Sequence, residues 1–166
     1  MLPDDPDWPR PSTGPSLCEG EIQVWRIGLG EDEYNFSRAE RILSADELDR
    51  AARFLVPRPR IEFTIARLGL RQILGFYIGC EPASIVFRTD SLGKPSLAVP
   101  ELPFLRFNLT HSHGLALIGF ALNHEIGVDV ELLREMRTQR ELAERFFHPN
   151  EVAALQALPL KQQVQG

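Results

Sequence analysis

Gly127-Val128-Asp129-Val130-Glu131 places two carboxylates two residues apart in a stretch with β-branched flanks. On a strand, residues i and i+2 share a face. Asp129 and Glu131 would then aim together, with Val128 and Val130 opposite. Two hard oxygen donors at a strand end suit Mg²⁺, which takes one or two carboxylates and completes its shell with water or substrate phosphate. The same pattern also describes a solvated strand end that carries two acids. Phe107-Asn-Leu-Thr110-His111-Ser112 gathers hydroxyl, imidazole and backbone N–H groups where a strand gives way to a turn, a cluster able to bind phosphate. A turn tied by side-chain-to-backbone hydrogen bonds, or a core histidine, would use the same residues. His111 and His113 also form a His-x-His pair of zinc-ligand type, although no third ligand has clear spacing.

Two further features carry charge. Lys94 and Lys161 are the only lysines among 18 basic residues, and Lys94 sits in a turn-like Gly93-Lys94-Pro95. A compact ammonium beside a conformationally fixed proline can meet a phosphate, or simply decorate a surface turn. Arg50, Arg53, Arg58, Arg60 and Arg67 follow one another along helical sequence, with Arg50 and Arg53 on one face and Arg60 and Arg67 roughly aligned. They could wall a polyphosphate. Asp46, Glu47, Asp49 and Glu62 among them equally fit a solvated helical face.

The elements that must position these residues read as follows. Residues 1–20 hold five prolines and three aspartates and read as a flexible tail. Glu21 to Ile27 reads as a strand. Ser44-Ala-Asp-Glu47 is a capping box that opens a helix with Leu48, Ala51, Ala52 and Leu55 at apolar spacing. Pro57 and Pro59 break it. A second helix runs from about Arg60 to Tyr77, with Ile61, Ile65 and Leu68 on one face and Gly79 as C-cap. Ser84 to Arg88, Phe104 to Leu109, Leu115 to Ala121 and Ile126 to Val130 read as strands, with a turn over Asp90 to Pro95. Helices are expected over Thr138 to Phe146 and Glu151 to Leu158, the latter with Asn150 as N-cap. Short turns between the last strands imply α+β with an antiparallel sheet.

Composition narrows the function. The 166 residues are 43% hydrophobic and 25% charged, with a net charge of -5. That balance excludes global disorder and argues against a general nucleic-acid binder. A chain of this size can bury about 68–70% of its unfolded surface. There is no apolar run of the roughly 18 residues that a membrane helix needs, and no secretory signal at the start. The spacing of Cys18 and Cys80 suggests neither metal nor disulfide, so a reducing cytoplasm is expected.

Gly-Lys-Pro, Phe-Asn-Leu-Thr-His-Ser, Gly-Val-Asp-Val-Glu and Arg145-Phe-Phe-x-x-x-Glu151 occur in that order, preceded by Arg50-Ala-Ala-Arg53-Phe54. This series resembles the 4′-phosphopantetheinyl transferases of the surfactin-synthetase-activating type, over roughly Ser44 to Leu158. The resemblance implies a pseudo-two-fold α+β fold, with a first half complete over 21–120 and a second half, 121–166, only partial. It implies transfer of the 4′-phosphopantetheine arm of coenzyme A to a serine of an acyl or peptidyl carrier protein. Mg²⁺ would sit on Asp129 and Glu131. Lys94 and Pro95 would line the adenine and ribose end. Thr110, where many members have serine, and His111 would contact the 3′-phosphate, and Arg50 would face the phosphates.

Two positions depart from the family. Glu62 stands where many members carry an arginine for the 3′-phosphate, and Arg60 is the neighbouring substitute. The family's Trp-x-x-Lys-Glu, whose glutamate is a candidate base, has no match, since the only tryptophans are Trp8 and Trp25. The catalytic base is therefore unassigned, and the chain is expected to be a C-terminally incomplete transferase, weak or inactive alone. A remnant that binds coenzyme A or a carrier protein without turnover, and a small zinc hydrolase using His111 and His113, are the rival expectations.

Overall fold

A computed structural model describes residues 8, 16–30, 36–89, 95–98, 104–132 and 139–159. The chain divides into two compact units, Met1–Val130 and Glu131–Gly166. The first unit contains β1 (Ile22–Gly28), α1 (Phe36–Ile42), α2 (Ala45–Ala52), α3 (Pro57–Ile78), a 3₁₀ turn (Pro82–Ser84), β2 (Phe87–Thr89), β3 (Pro95–Leu97), β4 (Leu105–Ser112) and β5 (Leu115–Leu122). It is an α+β arrangement, as expected.

The capping box opens α2 as read from the sequence. Ser44 Oγ accepts the Glu47 N–H, and Glu47 Oε2 accepts the Ser44 N–H. The prolines behave differently from expectation. Pro57 and Pro59 lie in the first turn of α3, where backbone N–H groups lack intrahelical partners in any case, so they start the helix. Val56 before them is extended, as a residue preceding proline prefers. α3 ends at Gly79, whose left-handed φ of 66° returns its N–H to the Gly75 carbonyl. Leu55 does not join the apolar stripe of α2, being 99% exposed in the turn. Helix α1, unread from the sequence, buries Ala39 and places Leu43 just beyond its end against Leu68.

The main sheet is antiparallel with order β1-β5-β4. Its register pairs Trp25 with Ile118 and Phe107 with Phe120. Phe107, Ile118 and Phe120 pack with Leu70, Ile73 and Leu74 of α3, and Trp25 and Ile27 lie against the same core. Contact is close enough that a Cβ on Gly69 would collide with Ile27 Cδ1. β2 and β3 form a separate two-stranded ribbon. The Ser84 to Arg88 strand is shorter than expected, because residues 82–84 turn before β2 begins. Asp90 to Lys94 lie outside the described residues.

Ile126 to Val130 is not a strand. The Val128 N–H bonds to the Asn108 side-chain Oδ1 at 3.0 Å instead of joining a backbone ladder. The side chains of Ile126 and Val128 lie over Gly119 in the central strand β5. A Cβ there would come 2.9 and 2.6 Å from Ile126 Cδ1 and Val128 Cγ1. The alternating pattern of the segment therefore serves to lay two apolar side chains on the sheet face opposite α3.

The second unit contains α4 (Gln139–Phe146) and α5 (Pro149–Ala157). The N-cap of α5 is His148, two residues earlier than the expected Asn150. Its Nδ1 accepts the Asn150 N–H, and Glu151 Oε2 accepts the His148 N–H at 2.8 Å. Pro149 holds the first helical position. Among the described residues no helix is long and apolar enough to cross a membrane.

One buried carboxylate joins three elements. Glu47 Oε1 accepts from Arg67 Nε at 2.5 Å, and Oε2 accepts from Arg71 Nε at 2.6 Å. Arg71, with a side chain 1% exposed, also donates to the carbonyls of Pro82 and Ile85, both at 2.9 Å. Both guanidinium groups stack on Phe87 of β2. Glu47 and Arg67 are thus not part of a solvated helical face. Long-range pairing, invisible in helical spacing, takes them inside.

Burial is the largest influence on Glu47 and pushes its carboxyl up. The charges of Arg67 and Arg71, the Ser44 N–H and the Arg67 hydrogen bond outweigh it and hold the group below its usual range. Burial pulls Arg67 down against the attraction of Glu47, but a guanidinium stays charged at every pH where the fold survives, so the carboxylate is the member that titrates. A depressed folded-state value means the contribution is complete above the unfolded carboxyl range, roughly pH 4.3, and is lost as pH falls through the folded value. Glu47→Gln should cost about 3–5 kcal/mol at neutral pH by leaving buried arginines without their counter-charge. It should also flatten the acid limb of stability. Thermal unfolding of both proteins from neutral to acid pH checks this; parallel curves would contradict it.

Candidate functional site

β4 carries the Phe-Asn-Leu-Thr-His-Ser motif further into the sheet than the sequence suggested. The strand runs through Ser112, and the turn is confined to His113 and Gly114, with φ of 48° and 81°. Alternation then separates neighbours. Phe107, Leu109 and His111 belong to the α3 side, and Asn108, Thr110 and Ser112 to the opposite face. His111 is exposed at the end of the strand, and Thr110 is half-buried. His113 Nδ1 lies 2.8 Å from Ser112 Oγ.

The opposite face is where the acidic motif meets the sheet. Thr110 Oγ1 donates to Asp129 Oδ1 at 3.2 Å, while Asn108 holds the adjacent Val128 amide. Two sequence motifs that read as independent strands are thereby brought into contact. Asp129 remains exposed, as does Glu131, the first residue of the second unit. An exposed carboxylate beside a hydroxyl is a hard-oxygen environment, and Mg²⁺ binds readily to one or two such groups while keeping its own waters. The donor chemistry fits that ion. Among the described residues no three His, Cys, Asp or Glu side chains converge, so His111 and His113 gain no third ligand.

The arginines divide into distinct roles. Arg50, in the last turn of α2, lies over the Phe63 ring at 5.2 Å. Arg60 is half-buried in the first turn of α3. Arg67 is withdrawn into the Glu47 cluster. Arg58, one of the arginines read as a possible polyphosphate wall, reaches the β4–β5 turn. Its Nη2 lies 3.9 Å from where a Cβ on Gly114 would stand. Its Nε pairs with Glu62 at 3.0 Å, with the Arg58 side chain 68% exposed. The i, i+4 spacing of Arg58 and Glu62 was the available signal. Glu62, which stands where the family's arginine is expected, pairs with Arg58. Pro95 is half-buried at the start of β3, and Lys94 lies outside the described residues.

No protein-family profile matches the chain. Among curated proteins it is similar to the 4′-phosphopantetheinyl transferase HetI of Nostoc sp., at 42% identity over 149 residues, covering 89% of this chain and 62% of the relative. It is also similar to the 4′-phosphopantetheinyl transferase Sfp of Bacillus subtilis, at 27% identity over 130 residues, covering 71% of this chain and 56% of the relative. The chain thus spans little more than half the length of these relatives. Among solved structures, a holo-(acyl-carrier-protein) synthase from Bacillus anthracis in complex with coenzyme A shares the fold. The TM-score is 0.50 at 23% identity, over 61% of this chain and 93% of that one. The fold, the ordered motifs and the identity to HetI agree in pointing to the 4′-phosphopantetheinyl transferases as this chain's relatives.

Proposed function

We propose that this chain takes part in moving the 4′-phosphopantetheine arm of coenzyme A onto a serine hydroxyl of an acyl or peptidyl carrier protein in the cytoplasm, as a transferase of the surfactin-synthetase-activating type. The observation that carries the reading is the Thr110–Asp129 contact, because it joins the nucleotide-end motif to the acidic motif in one place. The name of HetI, which matches across 89% of this chain, supports the same activity.

In this reading Asp129 and Glu131 hold Mg²⁺, which supplies charge neutralisation at the coenzyme A pyrophosphate. His111 meets the 3′-phosphate from the end of β4, with Thr110 behind it. Arg50 and Arg60 offer cations to the phosphates from the facing ends of α2 and α3. Lys94 and Pro95 line the adenine and ribose end. The serine oxygen forms a new bond to the phosphorus of the arm, the bond to the bridging pyrophosphate oxygen breaks, and adenosine 3′,5′-bisphosphate leaves. The hydroxyl proton needs an acceptor. No residue in the chain matches the family's Trp-x-x-Lys-Glu glutamate, so these residues bind and orient the substrates.

Two variants test the reading. Asp129→Ala should abolish the magnesium dependence of coenzyme A binding, measured by isothermal titration with and without Mg²⁺. Unchanged dependence would remove Asp129 from the metal. His111→Ala should weaken coenzyme A by roughly tenfold or more, since a hydrogen bond to a charged group contributes about 1.5–3 kcal/mol, while dephospho-coenzyme A changes little. Equal losses for the two ligands would make His111 a structural residue.

A further inference from the structure

We propose that Asn108 and Thr110 are positioning residues for Asp129, and that Thr110 acts on the metal end of the site through that carboxylate. The inference rests on the reading of Asp129 as a magnesium ligand.

The geometry has three parts, all on the face of the sheet opposite α3. First, Gly119 lacks a Cβ where one would lie 2.6 Å from Val128 Cγ1, so the segment can settle directly on the central strand. Second, Asn108 pairs with Gly119 in the β4–β5 register, and its Oδ1 accepts the Val128 N–H at 3.0 Å. The segment belongs to no ladder, so this bond fixes the residue immediately before Asp129 in place of sheet pairing. Third, Thr110, two residues along the same face, donates to Asp129 Oδ1 at 3.2 Å. A hydroxyl has one proton to give. Here that proton is given to Asp129. Oδ2 takes no hydrogen bond from Thr110 and can face an ion.

This arrangement has a chemical purpose. A carboxylate on an irregular segment has free rotation about its side-chain bonds, and a metal must freeze that rotation on binding. A hydroxyl bonded to one oxygen before the metal arrives removes part of that cost. Outer partners of this kind typically change metal affinity by about 10–100-fold when removed. The pairing also explains why threonine serves as well as serine here: either hydroxyl can reach the carboxylate.

The test uses the full chain with Mn²⁺ as the probe, its affinity read by electron paramagnetic resonance, alongside amide hydrogen exchange at Val128 and the thermal midpoint. Thr110→Val keeps the side-chain shape and should weaken Mn²⁺ about tenfold or more without lowering the midpoint of β-sheet unfolding, whereas Thr110→Ser should restore wild-type affinity. Asn108→Ala should speed exchange at Val128 and weaken Mn²⁺ by a similar factor. Mn²⁺ affinities within twofold of wild type for both Thr110→Val and Asn108→Ala would overturn the inference while leaving Asp129 as a ligand. A wild-type chain that binds no Mn²⁺ would overturn both, and Asp129→Ala identifies that case by being indistinguishable from wild type.

Discussion

The carboxylate of Glu47 is the point on which the first unit is organised. It closes the N-terminal cap of α2, and the same two oxygens receive Nε of Arg67 and Nε of Arg71 from α3. Arg71 continues to the carbonyls of Pro82 and Ile85, which lead into β2. A cap that would ordinarily contribute about 1 kcal/mol is thereby fused to a buried ion triad whose disruption costs several times more. Two cations share one anion, and the ring of Phe87 takes the faces of both. Because α2 carries Arg50 and the ribbon β2–β3 carries Pro95, the cluster ties two proposed coenzyme contacts to α3.

From that frame the site grows at one end of the sheet. α3 begins near the β4–β5 turn, where Arg58 reaches Gly114 and the Leu29 N–H bonds to the Gly114 carbonyl at 2.8 Å. His111 closes the same end on the α3 side. Thr110, its neighbour in sequence, works on the other face with Asp129. Alternation along a single strand thus presents His111 on one side of the sheet and Thr110 on the other.

Much of this was legible from residue types and spacing. The capping box at Ser44, the glycine stop at Gly79, the antiparallel pairing and the identity of the acidic and histidine motifs all rest on local rules. What was not legible depends on long-range contacts. Arg67 and a solvated arginine look alike in sequence, and only the partner Glu47, 20 residues away, distinguishes them. Ile126 to Val130 has the alternation of a strand, but its amide found a side chain and its apolar residues found a glycine on a sheet face. Pro57 and Pro59 interrupt a helix when read from the left and begin one when read from the right; the extended Val56 decides between them. Phe54, Leu55 and Val56 then form the turn instead of lengthening α2.

The proposed function has coenzyme A and Mg²⁺ bind across the strand end formed by the two motifs, away from the Glu47 cluster. Backbone amide chemical-shift mapping of the full chain, titrated with coenzyme A in Mg²⁺, tests it most directly. Shifts should concentrate in residues 108–114 and 126–131, with the amides around Glu47 and Arg71 unchanged. Shifts confined instead to the cavity at the far end of α3, lined by Leu17, Tyr77, Ile78, Phe104 and Leu122, or no shifts at saturating coenzyme, would contradict it.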